Sequence, residues 1–150
     1  HNVLVGSDDR ARVVDFGLAQ MVERGATFTR TGATIGTLAF MPPEQIASGG
    51  KALGESCDVY GLGATLYFAL SGQPPFDAKR YGELLEQVKH AAPRPLSELN
   101  PEVPPPLDAL VQRCLAKDPR GRPPSAAALA EALDQHLAGT LRLPSDPPPR

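Results

Sequence analysis

Asn2 and Asp15 are the residues whose types and placement point most directly to chemistry. Asn2 stands just before a short β-type run, Val3-Leu4-Val5, and Asp15 just after a second, Val13-Val14. Between the runs, Ser7-Asp8-Asp9-Arg10 supplies turn chemistry, so the segment is predicted to form a β-hairpin. Pairing the two strands brings an amide oxygen and a carboxylate together at one end. Hard oxygen donors held that way suit Mg²⁺, which keeps several waters and takes one or two protein ligands plus substrate phosphates. Asn and Asp are also common caps and turn formers, and local features alone leave both readings open.

The elements that must support such a pair follow along the chain. From Gly17 to Gly36 the sequence is polar and Thr-rich, with Thr27, Thr29, Thr31 and Thr34, and lacks a sustained apolar period, which predicts a long surface loop. Phosphorylation of any of these threonines would add about −1.5 to −2 charges and could order the loop against an arginine; the plain alternative is a solvated loop. Pro42 and Pro43 suit the opening of a short helix over Glu44 to Ser48, closed by Gly49 and Gly50. Asp58 to Leu70 is apolar nearly all round, the pattern of a central helix surrounded by protein.

Gly72-Gln73-Pro74-Pro75-Phe76 ends that helix, and Tyr81 to His90 has an amphipathic period. The proline-rich stretch Pro93 to Pro106 then links to a helix over Leu107 to Leu115, with Leu107, Leu110, Val111 and Cys114 as its inward stripe. Ser125 is placed to cap a last helix whose buried stripe is Leu129, Leu133 and Leu137. Residues 139–150 are a proline-rich tail or linker. The predicted class is α+β, one N-terminal hairpin followed by a mostly helical body.

Bulk properties narrow the function classes. A chain of 150 residues holds one domain with a modest core. Lys+Arg 15 against Asp+Glu 17 gives a net charge of −2, without the clustered basic excess that a nucleic-acid partner calls for. The longest apolar stretch, Val59 to Leu70, is broken by Gly61 and Gly63 and is too short for a membrane span. Cys57 and Cys114 lack CxxC spacing, so neither a disulfide framework nor a zinc site is expected, and both are read as buried thiols of a reducing compartment. His90 and His136 are read as surface helix residues. His1 opens on an apolar run with no charged leader, which predicts no signal peptide and a start within a domain.

Asp15-Phe16-Gly17 resembles the DFG motif of protein kinases, and His1-Asn2 resembles the end of their catalytic loop, H-R-D-x-x-x-x-N. Gly36-Thr37-Leu38-Ala39-Phe40-Met41-Pro42-Pro43-Glu44 is similar to the substrate-recognition loop and A-P-E motif. Asp58-Val59-Tyr60-Gly61-Leu62-Gly63 resembles the start of the family's central helix. Asp118-Pro119-Arg120-Gly121-Arg122-Pro123 resembles the segment whose arginine pairs with the A-P-E glutamate. Five motifs in family order make the chain resemble the C-terminal lobe of a Ser/Thr protein kinase domain over positions 1–138. Gly36-Thr37 favours the Ser/Thr class, and Pro43-Glu44-Gln45 is similar to the bacterial members.

The resemblance implies ATP and Mg²⁺ as cofactors, protein substrates as partners, and a cytoplasmic location, with membrane anchoring outside this chain left open. It assigns Mg²⁺ to Asn2 and Asp15, a packing role that sets the active or inactive arrangement to Phe16, and backbone freedom to Gly17. It places Gly36 and Thr37 beside the substrate hydroxyl and makes Glu44 and Arg122 an interior ion pair. Asp58 is implied to be buried, near a helix N-terminus, and bonded to the catalytic-loop backbone.

Pro42, Leu38 and Phe40 depart from the commonest family residues, which touches details of the substrate loop. No catalytic residue lies within the chain, because the Asp that accepts the substrate proton would fall five residues before Asn2. The Gly-rich loop, the ATP-binding lysine and its glutamate partner are absent too. The expectation is a Ser/Thr kinase represented by a truncated domain that is inactive alone; the alternatives are a pseudokinase-type binding module or a non-functional remnant.

Overall fold

The computed structural model describes residues 3–8, 10–13, 38–49 and 54–139. The chain divides into two units, residues 1–32 and residues 33–150, and each is taken by itself.

In the first unit, β1 (Val3–Val5) and β2 (Ala11–Val13) pair antiparallel with the register Val3↔Val13, Leu4↔Arg12 and Val5↔Ala11. β-branched residues favour the extended backbone. The turn is fastened locally: Gly6 N–H donates to the Arg10 carbonyl at 3.0 Å, and Asp8 Oδ2 takes Arg12 Nη2 at 2.6 Å. The guanidinium, and after it the Arg10 N–H, hold the Asp8 carboxyl below its usual pKa. The sequence expectation for the hairpin agrees, with the second strand starting earlier, at Ala11.

The second unit carries α1 (Pro43–Ala47), α2 (Glu55–Ser71), α3 (Tyr81–His90), α4 (Leu96–Leu99), α5 (Pro105–Cys114), a 3₁₀ turn (Pro119–Gly121) and α6 (Ala126–Leu137). Pro43 opens α1 where its missing N–H costs nothing. Gly72 ends α2 in the left-handed region, φ 72°, donating to the Phe68 carbonyl at 2.8 Å.

α2 is the hub, packed against α4, α5 and α6. Tyr60, Ala64 and Tyr67 of α2 meet Leu96, Val103, Val111 and Leu115 in the larger buried cluster. Val59 meets Leu110, Cys114 and Leu129 in a second. Gly63 allows the closest approach: a Cβ there would lie 2.4 Å from the Cys114 Cβ, so the absence of a side chain lets α2 and α5 seat against each other.

Several expectations need correction. α2 begins at Glu55 rather than Asp58, and it is not enclosed all round, since Phe68 is 47% exposed. The stretch 93–106 is not only a link. It holds α4, whose Leu96 and Ser97 N–H groups donate to the buried carboxylate of Asp108 at 3.0 and 3.2 Å, a partner supplied by α5. Ser125 caps α6 as expected, accepting from Ala128 N at 3.1 Å. Leu129 is buried, yet Leu137 is 84% exposed. A four-residue step overshoots a 3.6-residue turn by about 40°, so two steps carry Leu137 off the buried face. Cys114 is buried, whereas Cys57 is only partly so.

Candidate functional site

Asn2, Asp15, Phe16, Gly17, Gly36, Thr37 and the threonines 27, 29, 31 and 34 lie outside the described residues. Glu44, Asp58 and Arg122 lie within them, together with the end of the substrate-loop motif. There Leu38, Ala39 and Met41 are buried, and Met41 N–H donates to the Leu38 carbonyl at 3.1 Å. Phe40 meets Phe68 edge-on, with ring centroids 6.2 Å apart. The motif thus runs into α1 as an anchored segment.

Glu44, in the first turn of α1, and Arg122, just past the 3₁₀ turn, are brought together across 78 positions of sequence. Their contact is bidentate: Arg122 Nη1 to Glu44 Oε1 at 2.6 Å and Nη2 to Oε2 at 2.9 Å. The remaining N–H groups of the guanidinium are also used. Nε donates to the Ala116 carbonyl at 2.8 Å, Nη1 to Ser56 at 2.9 Å and Nη2 to Lys117 at 3.3 Å. All five donors of an arginine fork are therefore satisfied, which a lysine could not reproduce. The Arg122 side chain is 0% exposed, and that saturation makes its burial tolerable.

Burial pulls the Glu44 pKa upward, but the Arg122 hydrogen bonds, its own backbone N–H, the Arg122 charge and the Cys57 thiol outweigh it and leave the pKa lowered. Glu44 is thus held as a carboxylate, an anchor and not a proton carrier. Cys57 Sγ donates to Glu44 Oε1 at 3.5 Å; burial and that carboxylate raise the thiol pKa, which disfavours the thiolate. The Tyr60 ring lies under the Arg122 guanidinium at 4.9 Å. Its own hydroxyl is buried with no hydrogen-bond partner among the described residues, and desolvation pushes its pKa up.

Asp58 differs from expectation: it is exposed on the first turn of α2. The partner the resemblance gives it is the catalytic-loop backbone, of which this sequence contains only His1-Asn2. Among the described residues no group of three or more His, Cys, Asp and Glu could hold a metal ion. The described part of the site is structural, an anchor for the segment that carries Gly36 and Thr37.

Residues 1–135 match the protein kinase domain family. The chain belongs to that family. Serine/threonine-protein kinase A of Synechocystis sp. is 38% identical over 139 residues, covering 89% of this chain and 26% of that protein. The probable serine/threonine-protein kinase PkwA of Thermomonospora curvata is 38% identical over 135 residues, 90% of this chain and 17% of that protein. The DNA damage-responsive serine/threonine-protein kinase RqkA of Deinococcus radiodurans is 41% identical over 130 residues, 86% of this chain and 19% of that protein. The chain thus spans about a quarter or less of the length of these curated relatives. Protein kinases generally use ATP and Mg²⁺ and act on protein substrates. The relatives carry the Ser/Thr kinase name, and the mostly helical body with one hairpin is the C-terminal lobe of this kinase domain.

Sequence reasoning missed Asp108, Ser56 and Lys117 as supports. Asp108 acts on α4 and the other two through Arg122; Asp108 and Ser56 stand far from their partners in sequence, and the five-residue step from Lys117 to Arg122 is not a recognisable pairing signal.

Proposed function

We propose that the protein to which this sequence belongs transfers the γ-phosphoryl group of ATP to Ser or Thr hydroxyls of other proteins, in the cytoplasm. Residues 1–138 would be the part of its kinase domain from the end of the catalytic loop onward, and 139–150 a proline-rich tail or linker. In this reading Asn2 and Asp15 hold Mg²⁺, Phe16 packs to set the active or inactive arrangement, Gly17 supplies backbone freedom, and Gly36 and Thr37 shape the substrate loop. The bound metal supplies charge neutralisation at the phosphates.

The observation that carries the reading is the saturated Glu44–Arg122 pair, found between the two motifs that the family order assigns to it. The donor chemistry of the proposed metal site also fits, an amide oxygen beside a carboxylate. Connectivity supports their approach. Val3 and Val13 are Cα partners. Asn2 is one residue from the first and Asp15 two from the second, with about 3.8 Å per step. The general base is expected five residues before Asn2, and Thr27, Thr29, Thr31 and Thr34 are candidate phosphorylation sites of the activation segment.

The test is phosphoryl transfer from ATP to a generic Ser/Thr protein by the protein bearing both this lobe and the upstream catalytic Asp. Asp15→Ala is expected to lower the rate by at least about 10³-fold while leaving unfolding unchanged. Undiminished transfer in Asp15→Ala would remove the metal role from that residue.

A further inference from the structure

Lys117 touches two parts of the helical body through one residue. Its backbone carbonyl accepts from Arg122 Nη2 at 3.3 Å, at the Glu44–Arg122 anchor. Its side chain runs the other way, to the C-terminal end of α3. There Nζ donates to the carbonyl of Gln87 at 3.3 Å and to that of Val88, and sits 4.0 Å from the centroid of the Phe76 ring.

Among the described residues no carboxylate holds the ammonium, and the ionic influence on it is Arg122, of like sign. Burial first, and Arg122 second, bring its pKa down to about 8. What favours the charge is therefore geometric, the negative end of the α3 dipole and the face of an aromatic ring. The carbonyls are available only while the last turn of α3, which seats on buried Val88, is formed. Loss of that turn leaves a half-buried cation with only the Phe76 ring face, next to the guanidinium that Glu44 needs.

We propose that Lys117 is a positioning residue that couples α3 to the Glu44–Arg122 anchor, so that whatever displaces α3 loosens the segment bearing Glu44. Coupling between two sites is reciprocal, so loosening the anchor also loosens the end of α3. The inference does not depend on the catalytic reading, because it concerns contacts inside the described body.

Hydrogen exchange of the full chain tests it, followed residue by residue in Lys117→Met, Lys117→Arg and Glu44→Gln. Lys117→Met is expected to speed exchange in the last turn of α3, and at the Ser48 amide bonded to the Glu44 carbonyl, by about tenfold, with α6 as an unchanged reference. Lys117→Arg, which keeps the charge, restores much of the protection. Glu44→Gln is expected to speed exchange at the end of α3 as well. The coupling is overturned if Glu44→Gln loosens α1 and leaves α3 untouched, or if α6 loosens as much as α3. Should Lys117→Met fail to fold, the Glu44→Gln arm decides alone.

Discussion

The hairpin and the helical body solve the stability problem in opposite ways. β1 and β2 are three residues each, and Leu4 and Val5 are 53% and 69% exposed. Among the described residues, what fastens them is one ladder, the Gly6–Arg10 turn bond and an exposed Asp8–Arg12 pair. A two-stranded hairpin is marginal in water by itself. The body instead buries Tyr60, Tyr67, Leu96 and Val111 around α2 and ties the first turns of α1 and α2 together through Arg122. The residues proposed to meet Mg²⁺ flank the hairpin, whose described side chains are exposed, while Glu44 and Arg122 sit on the body with its buried core. In that reading catalytic placement and fold stability fall on different parts of the chain, and substitutions in the two should separate cleanly.

The largest effect is expected at the anchor. Glu44→Ala strands a fully buried guanidinium and should cost about 3 to 5 kcal/mol in urea unfolding of the purified chain. A loss well under that range would mean that the carbonyls of Ala116, Ser56 and Lys117 suffice to hold Arg122. The same pair sets an acid limit. Because the Glu44 pKa is lowered from its usual 4.5, its contribution is complete above that value and is lost as pH falls below it, through the folded-state pKa. Glu44→Gln should abolish that part of the pH dependence below pH 4.5.

Next comes Gly63→Ala, which forces a Cβ against Cys114 and should cost about 1 to 3 kcal/mol by the same measurement. An unchanged midpoint would show that α2 and α5 can part without penalty. The smallest effect belongs to the hairpin. Asp8→Ala removes its exposed ion pair, and the unfolding midpoint of the body should not move; a shift would mean that the two units share stability.

Much of the body could be read in advance because its signals are local. Pro43 at a helix start, Ser125 three residues before the N–H it caps, and the amphipathic period of Tyr81 to His90 each need only their neighbours. The failures fall where a partner comes from afar. α4 is only four residues long, and its first N–H groups, which have no partner inside the helix, are satisfied by Asp108. Leu137 shares a spacing with Leu129 but not a face. Asp58 has the residue type of a helix start, but the structure leaves it exposed on the first turn of α2.

Motif order in the sequence alone was enough to place the chain among the protein kinases and to nominate Asn2, Asp15, Glu44 and Arg122, because residue type and order are properties of the chain itself. Only the tertiary structure decided that Glu44 and Arg122 meet, that every N–H of the guanidinium finds an oxygen, and that Lys117 spans from that pair to α3. Those are distances between residues remote in sequence, fixed by how helices seat around α2, and no local pattern encodes them.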